Sequence, residues 1–175
     1  MRSFKFTIRC FIVLFVCISI LAGCHSFGHA VGSQKLQTRH LLMIPKQGPV
    51  HIRWEAKHIT IEFKGKVNQN ILTMEGQIGI TGGGIQHFAM LDRLVVDIYL
   101  STRDGSVLDR YKFYSTDKSQ MDKWVPRTFK RSYELPKGTT HIAFGYDGKV
   151  RDGGSIVLMK GGDAIEHGFQ HSPFR

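Results

Sequence analysis

The residues best suited to binding a ligand lie in one basic and aromatic segment, "KWVPRTFKRSYELPK", residues 123–137. Its candidate ligand-binding residues are Trp124, Arg127, Lys130 and Arg131. Cations interleaved with aromatic rings pair with anionic groups and stack on sugars or bases. The alternative is an ordinary strand, in which Phe129 and Tyr133 alternate into a core and the basic side chains lie on its solvated face. The first interpretation suggests an anionic ligand, whereas the second requires no ligand.

Histidines are the next candidates, because a metal or acid–base site would use several of the nine. His167 and His171 in "EHGFQH" are four residues apart, a spacing that directs two imidazoles to one ion only on a helix. The neighbouring glycines and Pro173 disfavour a helix, and no HExxH pattern occurs. We therefore expect no metal and no cofactor, with a metal at this pair as the alternative.

The sequence carries no recognisable catalytic pattern. It has no G-x-S-x-G nucleophile elbow, and its glycine-rich stretches lack the spacing of a phosphate-binding loop. Carboxylates occur in the glycine-rich region near the carboxyl terminus, where solvated turn residues are the simpler interpretation. We expect a protein that is not an enzyme. The alternative is a hydrolase in which His167, Asp163 and Glu166 converge in a cleft.

All three cysteines lie near the amino terminus, at Cys10, Cys17 and Cys24. Residues 1–9 are basic, and residues 10–23 are almost entirely apolar. This apolar run is shorter than the roughly 17–25 residues that span a bilayer, and it has the length of a signal-peptide core. The rest of the chain has no thiol and therefore no disulfide.

The apolar run ends in "LAGC", the residues Leu21, Ala22, Gly23 and Cys24. This motif resembles the lipobox of bacterial lipoproteins, and the resemblance covers the first 24 residues only. It implies that Cys24 receives a thioether-linked diacylglycerol and that signal peptidase II cuts before it. Two or more acyl chains then hold the protein on a membrane, at about 0.8 kcal/mol per buried methylene.

The resemblance also gives an expected location. Inner-membrane lipoproteins of Gram-negative bacteria commonly carry aspartate after the cysteine, whereas this chain has His25. We therefore expect the outer membrane in such an organism, with the membrane as a partner through the lipids on Cys24. Ordinary cleavage at a small residue, which releases a secreted protein, is the alternative.

Composition and charge fit one folded domain with an anionic partner. The chain has 175 residues, of which 42% are hydrophobic and 22% charged. Its formal net charge is +10, and without the three cations of residues 1–23 there remain 21 basic and 14 acidic residues. Outside the cytoplasm such an excess favours lipid head groups, lipopolysaccharide or acidic glycans, and we expect no nucleic acid as partner.

The elements that must position these residues are strands, because apolar residues alternate with period two from Leu41 onwards. The predicted inward residues of the clearest runs are Ile59, Ile61 and Phe63; Leu72, Met74, Ile78 and Ile80; Leu94, Val96, Ile98 and Leu100; Phe129, Tyr133 and Leu135; and Ile142, Phe144 and Tyr146. "SIVLM", residues 155–159, is the last clear strand, and a turn-rich tail follows. About eight strands predict an all-β fold, an antiparallel β-sandwich or jelly roll.

The predicted organisation is a signal peptide over residues 1–23, a flexible tether over 24–40 and a β-sandwich domain over 41–175. The expected function is that of a membrane-anchored envelope lipoprotein whose non-catalytic domain binds an anionic envelope ligand, a glycan or a partner protein. A structural or assembly component of an envelope complex is the alternative. A hydrolase or a metal-binding protein is less favoured.

Overall fold

The computed structural model describes residues 35–46, 48–82, 84–85, 87–116, 126–151 and 166–174. All of them belong to one compact unit, Val31–Arg175. Cys24, Trp124 and the strand predicted over residues 155–159 lie outside the described residues. Within these ranges no helix has the length and apolar character needed to cross a bilayer.

Alternating apolar residues give the described part of the chain nine strands. They are β1 (Leu42–Met43), β2 (Val50–Glu55), β3 (Ile59–Asn68), β4 (Ile71–Ile80), β5 (Met90–Ser101), β6 (Val107–Thr116), β7 (Arg127–Glu134), β8 (His141–Arg151) and β9 (Glu166–His171). A single 3₁₀ turn, Thr38–His40, precedes β1. All strand pairs are antiparallel. The predicted all-β sandwich is confirmed.

The strands form two sheets. Sheet A has the order β2-β3-β4-β7. In sheet B, β8 pairs with β5 along one edge, and β5 pairs in turn with β6. The other edge of β8 is shared, because β1 pairs with its first residues and β9 with its last. The carboxyl-terminal strand therefore lies beside the segment that leads into β1.

The core lies between the two sheets and holds the residues that alternation placed inward. Ile59, Ile61, Leu94 and Val96 are fully buried. Phe144 of sheet B packs on sheet A, with its ring centroid 5.4 Å from that of Trp54 and 6.0 Å from that of Phe63. Burial of this kind contributes about 1.5–3 kcal/mol for each large apolar side chain.

The β3–β4 hairpin shows how local sequence sets this register. Its strands pair from Ile59 opposite Ile80 to Asn68 opposite Ile71, which leaves a two-residue turn. Both turn residues, Gln69 and Asn70, have positive φ, at 47° and 67°. Such a turn matches the twist of the flanking strands. The turn predicted at "VNQN" is confirmed, and it fixes which face of β3 and β4 is buried.

The predicted boundary between tether and domain needs a correction. Lys35 and Leu36 form bridges with Ser106 and Phe174, and Leu36 is fully buried. Its side chain belongs to a small second core with Tyr99 on the outer face of sheet B. Residues 35–40 are thus part of the folded domain, because this segment and the carboxyl-terminal tail cover an apolar patch of sheet B.

The carboxyl-terminal tail also differs from the prediction of turns, since Glu166–His171 form β9. Phe169 pairs with Gly148 of β8, and its ring occupies the space where a Gly148 side chain would lie. An aromatic ring over a cross-strand glycine is a known way to fix strand pairing. This contact joins residues that are distant in sequence. The local pattern "EHGFQH" contains no sign of it, so the glycines and proline of the tail predicted turns instead.

Candidate binding face

The three described members of the predicted ligand-binding set do not form one patch. Arg127, Lys130 and Arg131 all lie on β7, an edge strand of sheet A. Lys130 lies on the outer face, whereas Arg131 has the inward register of Phe129 and Tyr133. The predicted set is therefore divided between two sides of the sheet, and Trp124 lies outside the described residues.

Arg131 has a local structural role at the side of the sandwich. Its Nε donates to the backbone oxygen of Phe113 in β6 at 3.4 Å, and its Nη1 donates to the oxygen of Lys130 at 3.1 Å. The side chain thus bridges the edge strands of the two sheets. An inward-directed charge on an edge strand also discourages pairing with another chain.

Lys130, in contrast, belongs to an ordered row of polar side chains across sheet A. The register aligns His51, Lys64, Glu75 and Lys130 on the four strands β2, β3, β4 and β7. Residues that pair in antiparallel strands share a face, so all four side chains lie on the solvated side. A row of two lysines, one histidine and one carboxylate therefore crosses the entire sheet.

Two further rows flank this one. Arg53, Glu62, Gln77 and Thr128 form one, and Lys66, Thr73 and Ser132 form the other. Together the three rows make the central part of the outer face of sheet A, which we call the cationic face. It contains the four cations Arg53, Lys64, Lys66 and Lys130 and the two carboxylates Glu62 and Glu75. The rows at the two ends of the same side add Glu55, which pairs with Arg53 at 3.2 Å, and Glu134.

An open depression of about 860 Å³ lies over the cationic face. Its lining includes Lys64, Lys66 and Lys130 together with parts of Phe63 and Phe129. These two phenylalanines lie on either side of Gly76 in the register. Their rings pack into the core, so the depression itself presents positive charge and polar side chains.

Gly76 is required at the centre of this face. A Cβ there would collide with the backbone oxygen of Glu62 and would lie 2.6 Å from the Cα of Phe63. β3 and β4 can keep this close approach only with glycine at position 76. Phe63 and Phe129, which pair with Gly76 from either side, are buried in the core.

The carboxylates of the cationic face already have partners. Glu62 accepts from Arg53 Nη1 at 2.7 Å and from Gln77 Nε2 at 3.3 Å. Glu75 forms an ion pair with Lys130 at 3.4 Å. In the described part of the chain, the exposed side chains of Lys64 and Lys66 have neither an ion pair nor a hydrogen bond. These two lysines are available to an external anion.

The spacing of these two lysines suits an extended ligand. They are two residues apart on one strand, so their Cα atoms are separated by about 7 Å. Long lysine side chains are flexible point charges that adapt to more than one anion geometry. Thr73, Gln77 and Thr128 add neutral hydrogen-bonding groups in the same depression. The face can hold an anionic ligand that also carries hydroxyl groups.

The histidine pair that the sequence singled out is not arranged for a metal. His167 and His171 lie on β9, where an extended backbone separates their Cα atoms by about 13 Å. His167 stacks on Phe88, with ring centroids 5.5 Å apart, and His171 stacks on Tyr146. Among the described residues, no group of three or more His, Cys, Asp or Glu side chains could hold a metal ion.

The hydrolase alternative receives no geometric support from its described members. Glu166 is in an ion pair with Lys149 at 2.6 Å, and His167 lies against Phe88. The third member, Asp163, lies outside the described residues. The two side chains that are described have separate partners.

Sequence reasoning did not identify Lys64 and Lys66 as candidates. Alternation placed Lys64 on the polar face of β3, but a lysine on a solvated face is common and carries no signal by itself. Their significance comes from the register, which brings them beside Lys130 across β4. No protein-family model matches the chain, and no curated protein matches it.

Proposed function

We propose that this protein is a lipid-anchored protein of the bacterial envelope whose β-sandwich binds an anionic envelope ligand and catalyses no reaction. The observation that carries the ligand proposal is the pair Lys64 and Lys66, which line the depression and have no partner among the described residues. The anchor is proposed on the motif "LAGC" that ends at Cys24. In a Gram-negative organism we place the protein in the outer membrane.

Charge on the cationic face supports an acidic ligand. Glu62 and Glu75 are held by Arg53 and Lys130, so an incoming anion meets the positive ends of Lys64 and Lys66 first. Exposed charges of this kind act within about 10 Å at moderate salt. They attract an anion without a large desolvation cost. Binding should therefore be reversible and sensitive to ionic strength.

The remaining lining supports a ligand with hydroxyl groups. Thr73, Gln77 and Thr128 present neutral donors and acceptors in the depression. Sugars form hydrogen bonds with such groups through their hydroxyls. Acidic glycans and phosphorylated sugar head groups of envelope lipids share this chemistry.

Binding is tested on the mature chain, residues 24–175 with Cys24→Ser, so that lipid on Cys24 does not obscure the result. The probes are a soluble acidic polysaccharide and vesicles of phosphatidylcholine with or without an anionic lipid. We expect the double variant Lys64→Ala/Lys66→Ala to lower affinity for an anionic probe about tenfold, which corresponds to about 1.4 kcal/mol.

The matched control is Lys112→Ala/Lys137→Ala, which removes the same charge from exposed positions outside the cationic face. This control should leave affinity within about twofold of the parent, because each removed charge lies beyond the depression. If the two double variants lose the same affinity, binding depends on the net charge of the protein, and a defined site on the cationic face is contradicted. If the parent protein binds neither the polysaccharide nor the anionic vesicles, the ligand proposal is rejected.

The anchor has an independent test in the full-length chain. Cys24→Ser should block lipidation and leave an uncleaved precursor, because thioether formation needs the thiol. The measurement is the size of the protein in membrane fractions, together with metabolic labelling by a fatty acid. Normal processing of the variant to the mature size would contradict the anchor and leave the ligand proposal unaffected.

A further inference from the structure

One end of the sandwich brings three histidines together among aromatic rings. We call His40, His58 and His171 the histidine cluster. The ring of His171 lies 4.7 Å from that of His40 and 5.7 Å from that of Tyr146, measured between centroids. Trp54 adds a ring 5.6 Å from that of His171. None of these residues lines the depression of the cationic face.

The cluster joins the two ends of the domain. His40 ends the 3₁₀ turn before β1, and His171 ends β9. Beside them, Gln37 donates its backbone N–H to the oxygen of Pro173 at 2.8 Å and its Nε2 to the oxygen of Phe174 at 2.6 Å. The amino-terminal segment and the carboxyl-terminal tail are thus held to one another at this point.

The surroundings of one nitrogen in His40 and one in His171 favour neutral imidazole rings. Nε2 of His40 accepts a hydrogen bond from Nε of Arg39 at 3.1 Å, so this nitrogen carries no proton. Nε2 of His171 is buried and has no hydrogen-bonding partner among the described residues. A proton on this nitrogen would therefore have neither water nor a hydrogen-bond acceptor beside it, which is costly.

The groups that face His171 also disfavour a charge. The 3₁₀ turn contributes Arg39 and His40, and the β2–β3 turn contributes His58. β2 contributes the uncharged Trp54. β8 contributes Tyr146, whose hydroxyl lies 2.9 Å from Nδ1 of His58 and whose pKa is raised by burial. None of these described neighbours is a carboxylate: Arg39 and the two histidines become or are cations, and Tyr146 is a neutral phenol.

These surroundings lower the pKa of both outer histidines. Burial lowers the pKa of His171, and the charges of His40, Arg39 and His58 lower it further. Burial and then Arg39 lower the pKa of His40. The ordinary histidine pKa is 6.5. As the pH falls below that value, the opened chain binds protons that the closed cluster excludes, so the closed form loses stability.

We propose that the histidine cluster is an acid-sensitive latch. Protonation of His40 and His171 separates the amino-terminal segment from β9 and releases both from sheet B. Sheet A contacts the cluster through Trp54 of β2 and holds His58 in its β2–β3 turn, whereas the pairing of β3 with β4 contains no histidine of the cluster. In a protein anchored through Cys24, release of residues 35–41 would lengthen the tether by up to about 23 Å.

The test is hydrogen exchange on the complete mature chain in detergent, at about pH 7.5 and about pH 5, corrected for the intrinsic rate. We expect amides of β9 and residues 35–41 to lose protection by a factor on the order of ten more than amides of β3 and β4. His40→Gln with His171→Phe should keep β9 protected at the lower pH. The control His87→Gln, at an exposed position, should behave as the parent does.

Two results would overturn the latch. One is a parallel loss of protection in β9 and in β3–β4 of the parent. The other is the same loss in the double variant as in the parent. If the double variant does not fold, the single variant His40→Gln replaces it in the test, because this change removes one titrating ring and leaves His171 in place. That variant should lose protection at a lower pH than the parent, and an unchanged pH dependence would reject the proposal.

Discussion

The cationic face and the histidine cluster both gather basic nitrogens, but they differ in how far these nitrogens are exposed to water. Lys64 and Lys66 are exposed, so their charges are hydrated and cost the fold little. Nε2 of His171 is buried without a partner, so a charge there opposes folding. The same kind of charge thus makes a binding surface where it is solvated and a pH-sensitive contact where it is not.

The two regions share one core residue. The ring of Phe144 packs against Phe63, which lines the depression, and against Trp54, which borders the histidine cluster. It is fully buried. Substitutions at Phe144 should therefore affect both regions. Substitutions that lie closer to one region should affect that region alone.

Phe144→Ala should have the largest effect. Removal of a buried phenylalanine ring typically costs about 3–5 kcal/mol, because transfer free energy is lost and a cavity remains. Urea unfolding should show a decrease of that size in the free energy of unfolding, together with weaker ligand binding and weaker protection of β9. Phe144→Leu is the control and should cost less than half as much. A change confined to one region would show that Phe144 does not connect them.

Gly148→Ala should act on the histidine cluster alone. A Cβ at this position would lie 2.6 Å from two carbons of the Phe169 ring, which in turn lies 5.2 Å from the ring of His58. Overpacking of this kind costs about 1–3 kcal/mol. Hydrogen exchange of β9 should accelerate while binding at the cationic face is unchanged.

Gly168→Ala is the matched control for that substitution. It lies on β9, and nothing lies within 4 Å of an added Cβ. Its effect on the free energy of unfolding should stay within about 0.5 kcal/mol. If Gly148→Ala and Gly168→Ala change the free energy of unfolding equally, the packing of Phe169 over Gly148 does not hold β9 in place.

Acid should lower the stability of the whole domain through the cluster, with a smaller effect than Gly148→Ala. The pKa values of His40 and His171 are lowered by burial in the folded state, so stability is lost as the pH falls below 6.5. Urea midpoints measured on the parent should decrease across that range. His171→Phe should flatten the decrease, and an equally steep decrease in this variant would show that other groups cause it.

The sequence was sufficient for the parts of the fold in which neighbouring residues decide the structure. Alternation at Ile59, Ile61 and Phe63, followed by a polar turn at Gln69 and Asn70, predicted the β3–β4 hairpin with its buried face. The local pattern fixes such an element because the side-chain period and the turn geometry agree. The sandwich follows from several elements of this kind.

The parts that the sequence did not predict depend on distant partners. β9 needs the space over Gly148, and the segment around Leu36 needs the apolar patch beside Tyr99. Lys64 and Lys66 gain meaning only from the register that sets them across β4 from β7. Local sequence contains neither a tertiary cavity nor a strand order, so these features could not be inferred from it.

Lys64→Ala with Lys66→Ala should have the smallest effect on stability and thereby separate the two regions most sharply. The side chains are exposed and unpaired, so their removal should change the free energy of unfolding by less than about 0.5 kcal/mol. Urea unfolding measures this change, and hydrogen exchange of β9 should keep the pH dependence of the parent. A loss above 1 kcal/mol would mean that these lysines hold the sheet together, and the cationic face would then be a structural feature instead of a binding surface.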